Sequence, residues 1–206
     1  NNWIVKSYTY LADVSNYKWM SDKHILSPLV SMQTSKNGKF HYEENVYGNK
    51  NGIPYIRSKR YGRDKSNYRE EYFISKTDDF GNPLEITQDG RTSILLWGHY
   101  GQRQIARFDN VTYHRMQILL GTAPETFSRL PLNQLNYQKI LGVRRKIPTM
   151  QSTIYQYDGN MQLRSLTDIS GFTNYFKYDF LGRLREKYFF NGNKQILESY
   201  DYHYQK

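Results

Sequence analysis

Apolar and polar residues alternate with a period of two along much of this chain, and that period predicts strands. Trp3 to Tyr10 alternates well. Gln33 to Tyr47 reads as a hairpin folded about Asn37-Gly38, and Asn49 to Gly52 as a further turn. Tyr68 to Thr77 and Arg91 to Gly98 read as strands flanking turns at Asp78–Gly81 and Asp89-Gly90. Near the end, Thr173 to Tyr178 and Leu184 to Phe190 are aromatic and partly alternating. Asn191-Gly192 is a hairpin signal, and Gln195 to Tyr204 is the expected returning strand, with Tyr200, Tyr202 and Tyr204 on one face.

The period changes twice. Val14 to His24 predicts one short helix that ends before Ser27-Pro28. Between Asn110 and Lys146 apolar residues recur at three and four positions, which predicts two short helices within Val111–Val143, with Gly121 as a stop. Lys146-Ile147-Pro148 returns to strand. The organisation expected is a β-rich portion over 1–109, a helical insertion over 110–148 and a repeat region over 149–206. No linker rich in Ser, Pro and Gly separates them, so they read as one continuous unit. The fold class is mainly β, an antiparallel ribbon of strands and turns.

The repeat region shows internal similarity. Tyr157-Asp158, Tyr178-Asp179 and Tyr200-Asp201 lie 21 and 22 residues apart. Among them sit the tetrads Asp168-Ile169-Ser170-Gly171 and Asp179-Phe180-Leu181-Gly182, and Asp78-Asp79-Phe80-Gly81 lies upstream. In such a tetrad the aspartate accepts a backbone N–H two residues on, and the glycine supplies the positive φ that closes the turn. Asp78, Gly81, Asp168, Gly171, Asp179, Gly182, Asn191 and Gly192 are therefore read as structural turn residues.

Composition narrows the function. Of 206 residues 38% are hydrophobic, yet 20 are tyrosine and 10 phenylalanine. Tyrosine suits strands with one buried and one wet face. The net charge is +10. It admits a nucleic acid, an anionic surface or an acidic partner. The densest basic runs, Arg57 to Arg63 and Arg144 to Lys146, are short and broken by polar neighbours, so each reads as a solvated face. The absence of cysteine excludes disulfides and thiolate chemistry. No stretch reaches the roughly 20 apolar residues of a membrane helix. A chain that opens Asn1-Asn2-Trp3 is expected to be a processed product or part of a longer protein.

No catalytic set emerges. His24, His41, His99, His114 and His203 lack ligand spacing. Asp78, Asp79, Asp158, Asp168, Asp179 and Asp201 precede turns or end Tyr-Asp strands, so turn formation accounts for them better than calcium or acid catalysis. No nucleophile elbow or phosphate loop is present, and Gly98 to Gly101 reads as a turn. Asn110-Val111-Thr112 reads as a helix cap rather than a glycosylation site. Aromatic residues interleaved with Lys177, Arg183, Arg185 and Lys187 suit either packing or the stacking of bases and sugars. The expectation is no catalytic residue, no cofactor and no metal, with packing preferred.

The run Asp168 to Gly171, Tyr178-Asp179, Gly182-Arg183-Leu184 resembles the YD repeats of RHS proteins, which also occur in teneurins. Leu26 to Leu29, Asp79 to Leu84, Trp97-Gly98, Ile105 to Tyr113 and Ser199 to Gln205 are similar to the C-terminal region of large RHS-repeat proteins of Bacteroidetes. The resemblance implies strands coiled into a spiral sheet that closes as a hollow shell, in some relatives around a toxin. Polymorphic toxins of this kind carry an Asp-Pro-x-Gly-Leu cleavage motif. Here Asp179 to Gly182 and Asp79 to Gly81 lack the proline, so self-cleavage is not expected. The reading is a non-enzymatic segment of an extracellular or cell-surface shell at the bacterial outer membrane. Its partners would be the remainder of a longer chain or another cell-envelope protein, with Tyr188, Tyr200, Tyr202 and Tyr204 as candidate interface. Nucleic acid is not expected. The other readings are a glycan- or nucleic-acid-binding β module and the shell part of a toxin-delivery protein.

Overall fold

The computed structural model describes residues 3–129, 133–147 and 150–202. The fold is mainly β and antiparallel. The strands among these residues are β1 (Ile4–Tyr10), β2 (Leu29–Lys36), β3 (Lys39–Lys50), β4 (Ile53–Gly62), β5 (Tyr68–Thr77), β6 (Pro83–Gln88), β7 (Arg91–Gly98), β8 (Arg103–Asp109), β9 (Ser152–Tyr157), β10 (Leu163–Thr167), β11 (Thr173–Tyr178), β12 (Leu184–Asn191) and β13 (Asn193–Ser199). Their order in the sheet is their order in the chain, a meander without crossovers. Two compact units divide it within β7, Asn1–Ser93 and Ile94–Lys206.

In the first unit, two-residue turns set the register. Asn37-Gly38, Asn51-Gly52 and Asp89-Gly90 have positive φ at both positions. That geometry matches the twist of antiparallel strands, which is why such dipeptides make hairpins. Lys36 thus faces Lys39, and Lys50 faces Ile53. The expected single helix over 14–24 is broken into two 3-10 turns, Leu11–Asp13 and Ser15–Tyr17, and the one-turn helix α1 (Lys18–Ser21). Asp13 reaches back to the Tyr10 N–H at 2.9 Å. Short polar side chains that bond the local backbone in this way compete with helix propagation. This segment lays Leu11 and Met20 on Val30, flanked by Tyr17, Trp19 and Tyr47.

In the second unit a helical layer, inserted between β8 and β9, builds the main core. Thr112 caps α2 (Tyr113–Leu120) by accepting the Arg115 N–H, and Gly121 ends it at φ 69°. Asn133 and Asn136 bond each other's backbone N–H at the start of α3 (Gln134–Lys146). Arg144, Arg145 and Lys146 fill its last turn, where cations favour the helix dipole. Lys146 Nζ donates to the Leu119 carbonyl at the end of α2, at 3.0 Å. Met116 and Leu120 on α2 and Ile140 and Val143 on α3 pack with Ile105, Phe108 and Ile154. Each such side chain contributes about 1.5–3 kcal/mol on burial. The helical segment expected over 110–148 lies here, although Pro148 is outside the described residues.

One expected strand is shorter than its pattern. The returning strand ends at Ser199, not Tyr204. The register shifts between Lys187 and Tyr188, so one residue of β13 is skipped. A bulge of this kind bends a strand locally, and the pairing resumes past it with Lys187 opposite Glu198 and Glu186 opposite Ser199. Tyr204 and His203 lie outside the described residues.

Candidate interaction surface

The turn aspartates organise the ends of the strands. In the Asp179 turn, Oδ1 accepts the N–H of Leu181 and of Arg183, each at 2.9 Å. The Asp179 N–H donates to the Arg183 carbonyl at 2.9 Å, and the Gly182 N–H donates to the Asp179 carbonyl at 3.0 Å. One side chain and two backbone bonds thus close a five-residue loop. The same bonds recur at Asp78–Asn82, Asp158–Gln162 and Asp168–Phe172. Gly81, Gly171 and Gly182 take φ of 80–89° at the fourth position. Met161 takes 63° in the fourth copy, a conformation that costs an ordinary side chain about 1–2 kcal/mol. Met161 was not singled out in the sequence because its tetrad lacks the glycine. The signal that could have found it is Tyr157-Asp158, placed ten residues before Asp168.

The tyrosines of the first two Tyr-Asp pairs reach a backbone carbonyl on the preceding strand. Tyr157 donates its hydroxyl to the Gln104 carbonyl at 3.1 Å, and Tyr178 to that of Leu163 at 3.0 Å. Burial pushes both phenols up from their ordinary value, so they remain donors at neutral pH. At the third pair Tyr202 takes this part, donating to the Leu184 carbonyl at 2.8 Å. Tyr200 instead bonds the Glu198 carboxylate at 2.6 Å. Burial opposes the charge of Asp179, but bonds from the Arg183 N–H and guanidinium and from the Leu181 N–H outweigh it. They hold its carboxyl below the usual range.

Two further ties were not legible locally. Arg144 of α3 donates to the Asp168 and Ile169 carbonyls at 2.6 and 2.9 Å. Gln162 donates to the Gly182 carbonyl at 3.2 Å, linking two turns on one edge.

Beyond the helical layer the strands carry exposed apolar groups. Tyr175 stacks on Tyr188 with centroids 5.5 Å apart, and Phe190 meets both edge-on. The Lys194 ammonium lies 4.3 Å from the Tyr188 centroid. Tyr188 is half-buried in this ladder. Tyr200 and Tyr202 are exposed at the other end of β12, with the Arg183 guanidinium 4.0 Å over the Tyr202 ring. Among the described candidate interface tyrosines, Tyr188 therefore stands apart from Tyr200 and Tyr202. Around them Phe190, Ile196 and Leu197 are exposed, and Phe180, at a turn tip, is 90% exposed. β13 is exposed along all seven residues and pairs on one side with β12.

Among the described residues no three His, Cys, Asp or Glu side chains gather as a metal site. His99 sits at φ 53° with Nε2 buried and unpartnered. Burial and the Arg103 charge push its pKa down, so it is a neutral ring packed edge-on to Tyr157 at 6.1 Å.

No family model matches the chain, and no curated protein matches it. Solved structures similar to it include the crystal structure of TcdB2-TccC3-TEV, at 12% identity over 85% of this chain with a TM-score of 0.49. A Tc holotoxin pore from Photorhabdus luminescens with a mutated TccC3 is 12% identical over 85%, with a TM-score of 0.48. A TcdB2-TccC3 crystal structure is 10% identical over 82%, with a TM-score of 0.47. The chain spans about 8% of the length of each of those chains.

Proposed function

We propose that this chain is a non-enzymatic structural and interaction segment of an extracellular or cell-surface shell, completed by other polypeptide. The observation that carries this reading is the exposed apolar character of β13 and its surroundings. Ile196 and Leu197 lie on an edge strand without proline, beside Phe190 and Tyr200. An exposed edge of this kind is a template for another strand, and proteins that are not assembled through it usually blunt it. Lys194 and Glu198 on this strand are exposed and pair across to Glu186 and Lys187 of β12.

The partner is either the remainder of a longer chain or a protein of the bacterial envelope. The charge of +10 suits an acidic face on it. Nucleic acid is disfavoured because cations along the strands are paired, among them Lys59 with Glu71, Lys177 with Glu186 and Lys187 with Glu198. Among the described residues no helix is long and apolar enough to cross a membrane.

Hydrogen exchange tests the reading. The outward amides of 193–199 should exchange fast in dilute protein. They should gain protection as residues 1–206 are concentrated or joined by the polypeptide that covers them. Amides that exchange equally fast at every concentration and in the longer chain would remove β13 as an interface.

A further inference from the structure

We propose that the first unit carries a binding site for an anionic glycan, at the tip of the β2–β3 hairpin and the loop between β4 and β5. A depression of about 630 Å³ is lined there by Gln33, Gly38, Lys39, Phe40, Arg63 and Asp64. That size lies within the range of small-molecule pockets, roughly 300–1,000 Å³. A second depression of about 360 Å³ shares Phe40 and Arg63 and adds Tyr61 and Tyr68. Phe40 is 53% exposed, and the Tyr68 ring is also open.

Charge distinguishes this place from the rest of the basic run. Lys59 is paired with Glu71 at 3.1 Å, and Arg60 with Glu44 and Glu70 at 3.6 and 3.3 Å. Arg69 is held by Asp89 at 2.5 Å. Among the described residues Lys39 and Arg63 have no such carboxylate. They are exposed cations beside an exposed ring. The nearby Asp64 carboxylate is occupied by the loop itself. Its Oδ1 accepts from the Ser66 N–H, the Ser66 hydroxyl and the Asn67 N–H at 2.6–2.9 Å. Those bonds fix the loop that presents Arg63.

The walls are held in place before any ligand arrives. Asn37-Gly38 closes the hairpin, and Lys36 pairs with Lys39 across it. The Arg60 guanidinium lies 4.6 Å from the Tyr68 centroid. Gly62 lies so close to Asn67 and Tyr68 that a methyl group there would meet their backbone. Rigid walls reduce the ordering cost of binding.

Two unpaired cations beside flat aromatic rings suit a sugar chain bearing carboxylates or sulfates. The rings offer faces to the C–H surface of a sugar, the cations bind its acidic groups, and Gln33 offers both a donor and an acceptor to hydroxyls. A polyphosphate instead needs a track of free cations along its backbone. Here that track is interrupted by the glutamates on either side.

The test titrates the intact chain with oligogalacturonate and with a heparin-derived oligosaccharide, against neutral dextran and a single-stranded oligothymidylate, at about 50 mM salt. At least one acidic glycan should bind, shifting the amide resonances of Gly38–His41 and Gly62–Asp64, and dextran should not. The double variant Lys39→Glu, Arg63→Glu should weaken binding on the order of tenfold or more without changing the melting temperature. Phe40→Ala should weaken it while leaving its salt dependence intact. No binding of either acidic glycan would overturn the proposal. So would binding unaffected by the charge reversals, resonance shifts elsewhere, or oligothymidylate binding at least as tightly through the same residues.

Discussion

Strands β8 and β9 and strands β12 and β13 are made from similar residues, yet one pair forms a core and the other does not. Ile105, Phe108 and Ile154 are almost fully buried. Phe190 and Ile196, equally apolar, are 58% and 57% exposed. The difference is the layer on top. The insertion after β8 supplies Met116, Leu120, Ile140 and Val143 to cover the sheet there, and the turn after β12 consists of little more than Gly192. A sheet face becomes a core only where a second layer meets it. Where the described residues provide none, the aromatic side chains of β11 and β12 stack on one another.

The comparison can be broken most directly by truncation. Phe108→Ala should cost about 3–5 kcal/mol, whereas Phe190→Ala should stay within about 0.5 kcal/mol in the isolated chain. Chemical denaturation measures both. Equal losses would mean that the β12–β13 face is as well packed as the core.

The turns extend the comparison at a smaller scale. Gly182 has φ 80°, and the Gln162 amide lies 2.7 Å from where a β-carbon would stand. Gly182→Val should destabilise by about 1–3 kcal/mol, more than alanine at any described histidine. Met161→Gly should have the opposite sign and stabilise by about 1 kcal/mol, because it relieves the same backbone conformation. A Met161→Gly variant that melts below the parent would show that the Met161 side chain contributes more than its strain costs.

Two pH effects complete the series. The Asp179 carboxyl is held below its ordinary value of 3.8. Its contribution is therefore complete above that value and is lost as pH falls through the lower, folded value. Asp179→Asn should flatten the acid limb of a stability–pH curve. At the other extreme, burial raises the Tyr137 phenol from 10 to about 12. Its contribution is complete below 10 and is lost as pH rises towards 12, which spectrophotometric titration of Tyr137→Phe against the parent would isolate.

Local rules made much of this architecture readable. Tyr68–Thr77, Arg91–Gly98 and Thr173–Tyr178 alternate, and they are strands at those bounds. The Asn-Gly and Asp-x-x-Gly turns follow from chemistry within four residues. The sequence does not mark β4 as a strand, because Arg57, Lys59 and Arg60 mask its alternation, and the glutamate partners of Lys59 and Arg60 lie on β3 and β5. Arg144 binds carbonyls 24 and 25 residues away, a pairing no local pattern encodes. Tyr200 and Tyr202 lie past the end of β13 at Ser199, although the Tyr200 N–H still donates to the Arg185 carbonyl at 2.9 Å. The candidate surface was thus visible as composition, while its division into two groups follows from where Tyr188 and Tyr200 fall along β12.

The central claim is that the β12–β13 region is completed by other polypeptide. It is tested most directly by light scattering and apolar-dye binding on residues 1–206 over a range of concentrations. Concentration-dependent association, together with dye binding that Ile196→Lys and Leu197→Lys suppress without lowering the melting temperature, is the predicted result. A compact monomer at all concentrations, with no dye-accessible apolar surface, would contradict it.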